Sequence, residues 1–336
     1  MNRTGSTTTT SPKTLSADVH PLLAGERALS FRAERSTAAQ SIAGPIPATP
    51  EEWRTAAAER PVDPARREAL LQTLRPHWDA RPLAPAAKQQ IARLEDPETR
   101  IVIAGQQPAQ WGGPLLLAVK ALATCRTADA LNAEGIAAVP IFWIATEDHD
   151  TGELWGGIAT TPKGPPVDLA SSFPAGRAML GTLRYELPLG TRLGALTPLF
   201  ESGDPEIAQL YRETGADGPA DEFIALFERL FGDRGLLVVR PEWLRSLAAP
   251  SIAAEFDAPG ETAAWIREGI AALEAEELPV PIPKPAELPL FWIDDDGARH
   301  RLHPDGDGVR VGTPTGPSRT WASLREELAV RYQYAL

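Results

Sequence analysis

Cysteine is nearly absent from this chain: among 336 residues there is one, Cys125. A single thiol excludes an intramolecular disulfide and any zinc site built from several cysteines. It fits a reducing, cytoplasmic setting. Long apolar runs are missing as well. No stretch reaches the roughly 18 consecutive apolar residues of a membrane-spanning helix, and the opening MNRTGSTTTTSPKTLSADVH has no apolar core of signal-peptide length. Basic residues are in deficit, with 33 Lys and Arg against 45 Asp and Glu and a formal net charge of -12. A phosphate backbone or an anionic membrane attracts a basic surface, so neither nucleic acid nor membrane is expected as a partner, although a local basic pocket stays compatible. There is no internal repeat of the roughly 20–50-residue period that marks solenoids and propellers.

What is present reads as an ordinary globular composition, 43% hydrophobic and 23% charged, long enough for two or three domains or one large domain with an insertion. Residues 1–45 are polar and Ser/Thr-rich at the start and are expected to be flexible. A helix then begins at Thr49, with Pro50 in its first turn and Glu51 and Glu52 at the positive end of its dipole. A second helix is expected from Asp63-Pro64 through Leu74. A third spans Pro85 to Leu94, where Ala86, Gln90, Ile91 and Leu94 recur at helical spacing.

The centre of the chain is a βαβ unit, residues 101–150. Arg100 to Ala104 is a β-branched run that stops at Gly105 as a buried strand should. Pro114 opens a helix that runs to about Glu134 and is capped by Gly135. The first half of that helix, LLLAVKALA, is apolar on all sides except Lys120, which predicts burial. The second strand is Ala138 to Ile144. Elements of these lengths imply a right-handed parallel crossover. Beyond it, the Gly- and Pro-rich stretch from Thr151 to about Phe200 reads as an insertion with strand-like pieces such as Met179 to Leu187. Helices follow at Pro205 to Glu213, Pro219 to Phe231 and Glu261 to Glu276, with a third core strand at Leu236 to Arg240. PVPIPKPAELP is a spacer. Leu290 to Asp294, a DDDG turn and Arg299 to His303 form a hairpin, and Trp321 to Val330 a short helix.

Two loops collect the reactive side chains. GQQPAQWGGP, between the first strand and the helix, puts backbone amides at a helix N-terminus, where anions bind. Gly112 and Gly113 permit close backbone approach, and Gln106 and Gln107 offer donors and acceptors. It is neither a dinucleotide fingerprint nor a Walker A loop, and a plain strand-to-helix turn would look the same. Lys120 could neutralise an anion or snorkel to the surface. Glu147, Asp148, His149 and Asp150 end the second strand. They could bind Mg²⁺ through carboxylates, hold an amine, or supply acid–base chemistry through His149; alternatively Asp150 or Thr151 caps a turn and the rest is solvated. His300 and His303, three apart on a strand, fall on opposite faces and are not expected to share a metal. Cys125, in mid-helix, reads as a packed residue.

GQQPAQWGGPLLLAVKALA followed by PIFWIATEDHD resembles the cysteine-adding enzymes of bacillithiol biosynthesis, the BshC-like cysteine ligases. Gly105-Gln106-Gln107, Gly113-Pro114, Lys120, Phe142-Trp143 and Glu147-Asp148-His149-Asp150 carry the match, with weaker similarity in FGDRGLLVV and LFWIDDDGARHRL. The resemblance runs from about residue 50 to the end. It departs at Pro108 and Ala109, and at Arg240, where the family pattern leads one to expect an acid. It implies an α/β fold: a Rossmann-like parallel-sheet core, an inserted connecting-peptide-type subdomain and a helical N-terminal lead-in. The corresponding divisions are 1–45, 46–150 (lead-in and first half of the core), 151–235 (insertion) and 236–336 (remaining core strand, helices and hairpin).

The activity implied is condensation of cysteine with glucosaminyl malate, with ATP as the natural source of an activated carboxyl and Mg²⁺ beside it. Gly105, Gln106, Gln107, Gly112, Gly113 and Lys120 would line the nucleotide or anionic side, and Glu147, Asp148, His149 and Asp150 the catalytic side. Family members continue past the hairpin with the second half of the core and a dimerising coiled coil. The sequence ends at Leu336, before both, so a C-terminally shortened homologue is expected. Two other functions are consistent with the residues: a metal-dependent hydrolase using the EDHD loop, and a non-catalytic ligand-binding homologue.

Overall fold

A computed structural model describes residues 40–42, 44, 47, 49–59, 62–154, 158–159, 167–168, 173, 176–197, 205–280, 288–331 and 334–335. The expectations of a flexible N-terminal tip and a proline-rich spacer fall largely outside these residues. In chain order the elements are α1 (Pro50–Ala58), α2 (Pro64–Asp79), α3 (Pro85–Arg93), β1 (Arg100–Gln106), α4 (Leu115–Ala133) and β2 (Ala138–Ile144). Then come β3 (Ile158–Ala159), β4 (Val167–Asp168), α5 (Leu189–Ala195), α6 (Pro205–Thr214), α7 (Pro219–Phe231), β5 (Leu237–Val239), α8 (Arg245–Asp257) and α9 (Glu261–Ala275). The last are β6 (Phe291–Ile293), β7 (Arg299–Asp305), β8 (Gly308–Val311), β9 (Ser318–Thr320), α10 (Trp321–Arg331) and β10 (Tyr334–Ala335).

Contacts divide the chain into two units, Met1–Ile46 with Ala263–Ala286, and Pro47–Thr262 with Glu287–Leu336. In the first, Leu273 and Leu278 pack with Ile42 and Val280. The second unit holds the three-stranded and five-stranded sheets.

Its centre is a parallel three-stranded sheet in the order β1-β2-β5. Ile101 pairs with Val139 and Phe142 with Val238, so alternate residues face opposite layers. On one face Val139, Ile141, Leu237 and Val239 pack against Leu71, Leu74 and Trp78 of α2 and Ala87 and Ile91 of α3. On the other, Phe142, Ile144, Leu236 and Val238 pack against Leu117, Ala121 and Cys125 of α4 and Phe223, Ile224 and Phe227 of α7. A sheet covered on both faces explains why β2 is an unbroken apolar run. Its one residue without an N–H, Pro140, precedes Ile141, where pairing with β5 begins. Trp78 is fully buried and satisfies its indole N–H on the Val238 carbonyl at 2.9 Å.

The helix starts are those the sequence encodes. Thr49 and Glu52 form a reciprocal capping box on α1, and the Asp63 carboxylate caps α2 ahead of Pro64. Several expectations are corrected. β1 continues through Gln106 rather than ending before Gly105. Pro114 is the cap of α4 rather than its first residue, a shift within ordinary end variation. The apolar start of α4 is buried on one side only: Leu115, Leu116 and Val119 are 79%, 59% and 50% exposed. A round helix packed on a sheet can bury only one stripe, and β1 beneath it is an outer strand. Met179 to Leu187 is not a strand. It holds a 3₁₀ turn, Leu180–Thr182, whose Leu180 and Gly181 N–H groups donate to the carbonyls of Asp148 and Thr146 at 2.7 and 2.8 Å. α7, which lies before residue 235, packs in the core layer through Phe223, Ile224 and Phe227. The expected hairpin is present as β6 and β7, extended by β8, β9 and β10 into a five-stranded antiparallel sheet. A helix not foreseen from the sequence, α8, packs against that sheet through Ile252 and Phe256.

Candidate functional site

Parallel strands place all three of their following loops at one end of the sheet, where open α/β sheets bind ligands. Here those loops start at Gln107, Ala145 and Arg240. Gly105 lies opposite Trp143 in the register, and a Cβ on it would come within 3.0 Å of the Trp143 carbonyl and 3.2 Å of its Cβ. Glycine at this position therefore lets the Trp143 indole lie over β1.

Beside Trp143 opens a cavity of about 310 Å³. Its floor is the start of the EDHD loop, Ala145, Glu147 and Asp148. Leu244, Arg245, Ala248 and Ile252 form one wall, and Arg299 of β7 closes the other. The charges are paired across it. Arg245 Nε donates to Glu147 Oε1 at 2.6 Å, and Arg245 also reaches the Met179 sulfur. Arg299 Nη1 donates to the Glu147 carbonyl at 3.3 Å and lies 3.8 Å from Asp148 Oδ1, while its guanidinium stacks 3.8 Å over the Phe291 ring. Burial pushes the Glu147 carboxyl above the ordinary range, and Arg245 only partly pulls it back. Burial acts on Asp148 in the same sense, but hydrogen bonds from Gln107 and from the N–H groups of His149 and Asp150 outweigh it and hold that carboxyl below its ordinary value. Burial also lowers Arg299, against the pull of Asp148 and Glu147.

The four residues of the EDHD loop thus have four different situations. Glu147 is committed to Arg245. Asp148 Oδ1 accepts from the N–H of His149 at 2.7 Å and of Asp150 at 3.3 Å, so it organises the loop backbone. Asp150 caps the 3₁₀ turn Thr151–Glu153 by accepting from Gly152, the capping role that was one of its two readings. His149 keeps a ring nitrogen that no described residue bonds. Its Nδ1 is buried, 3.7 Å from Asp148 Oδ1 and without a hydrogen-bond partner among the described residues, while the side chain as a whole stays 40% exposed.

The other loop is joined to this one. Lys120 Nζ donates to Gln106 Oε1, Gln106 to Gln107 Oε1, and Gln107 Nε2 to Asp148 Oδ2. Lys120 therefore does not line the cavity. Trp111, Gly112 and Gly113 all have positive φ, at 57°, 82° and 66°. The space a Cβ would take at Gly112 is filled by Leu226, and at Gly113 by Ala109 and Leu117. These glycines serve close packing of the loop on α7 and α4. Trp111 is held in the left-handed region by its own burial, an edge contact with Tyr211 and the Tyr211 hydroxyl on its carbonyl at 2.9 Å. Arg240, where an acid was expected, bonds Asp221 at 2.8 Å and Glu242 at 3.2 Å; Glu242 also accepts from the Thr146 hydroxyl.

Sequence reasoning missed Arg245 and Arg299. They stand 98 and 152 residues from Glu147 in the chain, and neither sits in a spacing pattern. It also read Asp294 only as a turn residue, whereas Asp294 Oδ2 lies 2.7 Å from His300 Nε2. The carboxyl of Asp294 is partly buried, and the bonds from His300 and from the Ala298 N–H still bring it below its ordinary value. Cys125 is a core residue, as expected.

The fold and the site define a Rossmann-like α/β protein with a charged crevice at the carboxyl ends of its parallel strands. The sequence profile described as "Bacillithiol biosynthesis BshC, N-terminal Rossmann-like domain" matches residues 46–328, and the chain belongs to this family. It is 30% identical over 236 residues to a protein of Koribacter versatilis named "Putative cysteine ligase BshC", covering 68% of this chain and 43% of that one. Proteins of the same name from Solibacter usitatus and Salinibacter ruber are 32% and 26% identical, over 62% and 72% of this chain and 39% and 45% of theirs. The matched stretch thus spans less than half the length of these relatives. Among the described residues, no helix is long and apolar enough to cross a membrane.

Proposed function

We propose that this chain carries the amino-acid side of a cysteine ligase acting in bacillithiol biosynthesis, joining cysteine to glucosaminyl malate through an amide. The observation that supports it most is the cavity beside Trp143. The Arg245 and Arg299 guanidinium groups can meet a carboxylate, and Leu244, Ala248 and Ile252 offer an apolar wall to a short side chain. A volume of about 310 Å³ suits a single small amino acid. The relatives named as cysteine ligases make cysteine the first candidate.

Amide formation needs an activated carboxyl and an amine that has lost a proton. His149 is the base in this reading: its side chain is 40% exposed and follows directly on the cavity residues Glu147 and Asp148. Arg245 and Arg299 orient the carboxylate, and Trp143 and Ile252 add apolar surface to the cavity lining. In this reading ATP would activate the cysteine carboxylate, and the activating phosphate or AMP would leave as the glucosaminyl amine, having given up its proton, forms the amide. The part of the first loop that fits a phosphate is the N-terminus of α4, which no side chain caps. Magnesium would arrive on the nucleotide phosphates: among the described residues no group of three His, Cys, Asp or Glu could hold an ion.

The test is mass spectrometry of glucosaminyl malate, cysteine and ATP incubated with the purified chain, beside calorimetric titration with cysteine alone. The reading expects cysteine binding weakened at least about ten-fold by Arg299→Met, and product formation lowered on the order of 100-fold or more by His149→Ala. Hydrolysis without added cysteine, or cysteine binding indifferent to Arg299, would overturn it.

A further inference from the structure

Lys120, Gln106, Gln107 and Asp148 form a hydrogen-bonded chain with one direction. The links are 2.6 Å from Lys120 Nζ to Gln106 Oε1, 2.6 Å from Gln106 Nε2 to Gln107 Oε1, and 3.1 Å from Gln107 Nε2 to Asp148 Oδ2. An ammonium can only donate, an ionised carboxylate can only accept, and a side-chain amide has one end of each kind. The two charged ends therefore dictate how both amides point. Turning either amide over would set donor against donor and acceptor against acceptor. At the far end, Gln107 occupies Asp148 Oδ2 and leaves Oδ1 for the N–H groups of His149 and Asp150. Those two bonds shape the loop that carries His149.

We propose that Lys120 is a positioning residue: it acts through the Gln106 and Gln107 amides, rather than on a ligand, to hold Asp148 and so to set the loop that presents His149. The inference rests on the reading of His149 as base only for its effect on catalysis. Among the described residues the charged groups around Asp148 are Arg299, Glu147, His149, Asp150 and Glu153, and it is Asp148 itself that has a neighbour in Gln107. A lysine that met an anionic ligand directly would leave the Asp148 loop indifferent to its own removal.

The test compares the full chain with Lys120→Met, Lys120→Arg, Gln107→Leu and the Lys120→Met/Gln107→Leu double variant, each checked for native circular dichroism. Two quantities are read without any substrate: hydrogen exchange at the N–H groups of His149 and Asp150, and the titration midpoint of the Asp148 carboxyl by carbon-13 NMR, assigned by its loss in Asp148→Asn. Lys120→Met should speed exchange on the order of ten-fold and move the midpoint upward. Lys120→Arg, which keeps a donor-only end, should restore both. The double variant should be no worse than Gln107→Leu alone, because both cut one chain. Unchanged exchange and midpoint in Lys120→Met, or additive effects in the double variant, would overturn the proposal. Should Lys120→Met not fold, Lys120→Gln takes its place against Lys120→Arg, since a glutamine can present an acceptor and should loosen the loop. Neither readout depends on ligation, so an inactive wild type would sink the proposed function and leave this inference standing.

Discussion

Arg245 Nε and Glu147 Oε1 meet at 2.6 Å, and the pair joins the loop after β2 to the first turn of α8 across 98 residues of chain. Their side chains keep 20% and 12% of their exposure, so neither charge is bathed in water. The relationship fixes one wall of the cavity to its floor, and it makes each partner a liability without the other.

Arg245→Met should therefore destabilise the chain by roughly 2–4 kcal/mol, because the buried Glu147 loses its partner. Urea unfolding measures this, and Arg245→Met/Glu147→Gln should recover much of the loss. The pH dependence has a definite sign. Burial raises the folded pKa of Glu147 above its ordinary 4.5. Between those two values the folded chain holds a proton that the unfolded chain has released. The contribution is complete below 4.5 and is lost as pH rises through the folded value. Glu147→Gln should flatten that limb of the stability–pH curve; an unchanged limb would count against the assignment.

Asp148 should behave in the opposite way. Its folded pKa lies below the ordinary 3.8, so its contribution is present above 3.8 and disappears as pH falls through the folded value. Unfolding midpoints measured downward from pH 5 should show a steeper decline in the wild type than in Asp148→Asn. Equal slopes would mean that the Gln107 and backbone bonds do not bias its ionisation.

Gly113→Ala and Gly135→Ala make a matched pair. Both glycines have positive φ, at 66° and 80°. A Cβ at Gly113 would stand 2.6 Å from the Ala109 Cβ and 3.0 Å from Leu117 Cδ2, whereas Gly135 has nothing within 4 Å. The first substitution should cost roughly 2–4 kcal/mol, backbone strain plus overpacking, and the second about 1 kcal/mol. Thermal unfolding of the two variants side by side separates these terms. Equal losses would show that the turn at Gly113 has room to relax.

Cys125 should be chemically silent in the folded chain. It is fully buried, and burial pushes its thiol up to about 11. At pH 8 only about one thiol in a thousand would be ionised. Ellman's reagent should not react with the native protein and should react with one equivalent after denaturation. Rapid labelling of the native chain would contradict its placement among Ala121, Phe142 and Phe227.

The sequence by itself determined the local structure of the core. β-branched and aromatic runs set β1, β2 and β5; Thr49, Asp63 and Pro85 start helices as their chemistry dictates; and Asp294 to Gly297 turn a hairpin. These features depend on nearest neighbours and on period, and both are written in the chain. The same locality made the two loops after β1 and β2 visible as candidates, since polar residues directly after a buried strand are costly unless they face a crevice.

Only the tertiary structure decided what each candidate does. His149 and Asp148 are adjacent in sequence, yet one keeps a free ring nitrogen and the other is saturated, a difference made by Gln107 and by backbone N–H groups. Lys120 could have been read as a surface cation or a ligand contact until its Nζ was placed on Gln106. Arg245 and Arg299 carried no signal at all, because an arginine on a helix or a strand becomes a carboxylate's partner only when the fold brings it there. Hydrogen bonds and ion pairs act over about 3–4 Å, while the residues that make this site are spread from Gln106 to Arg299; the fold, not the spacing, supplies that proximity.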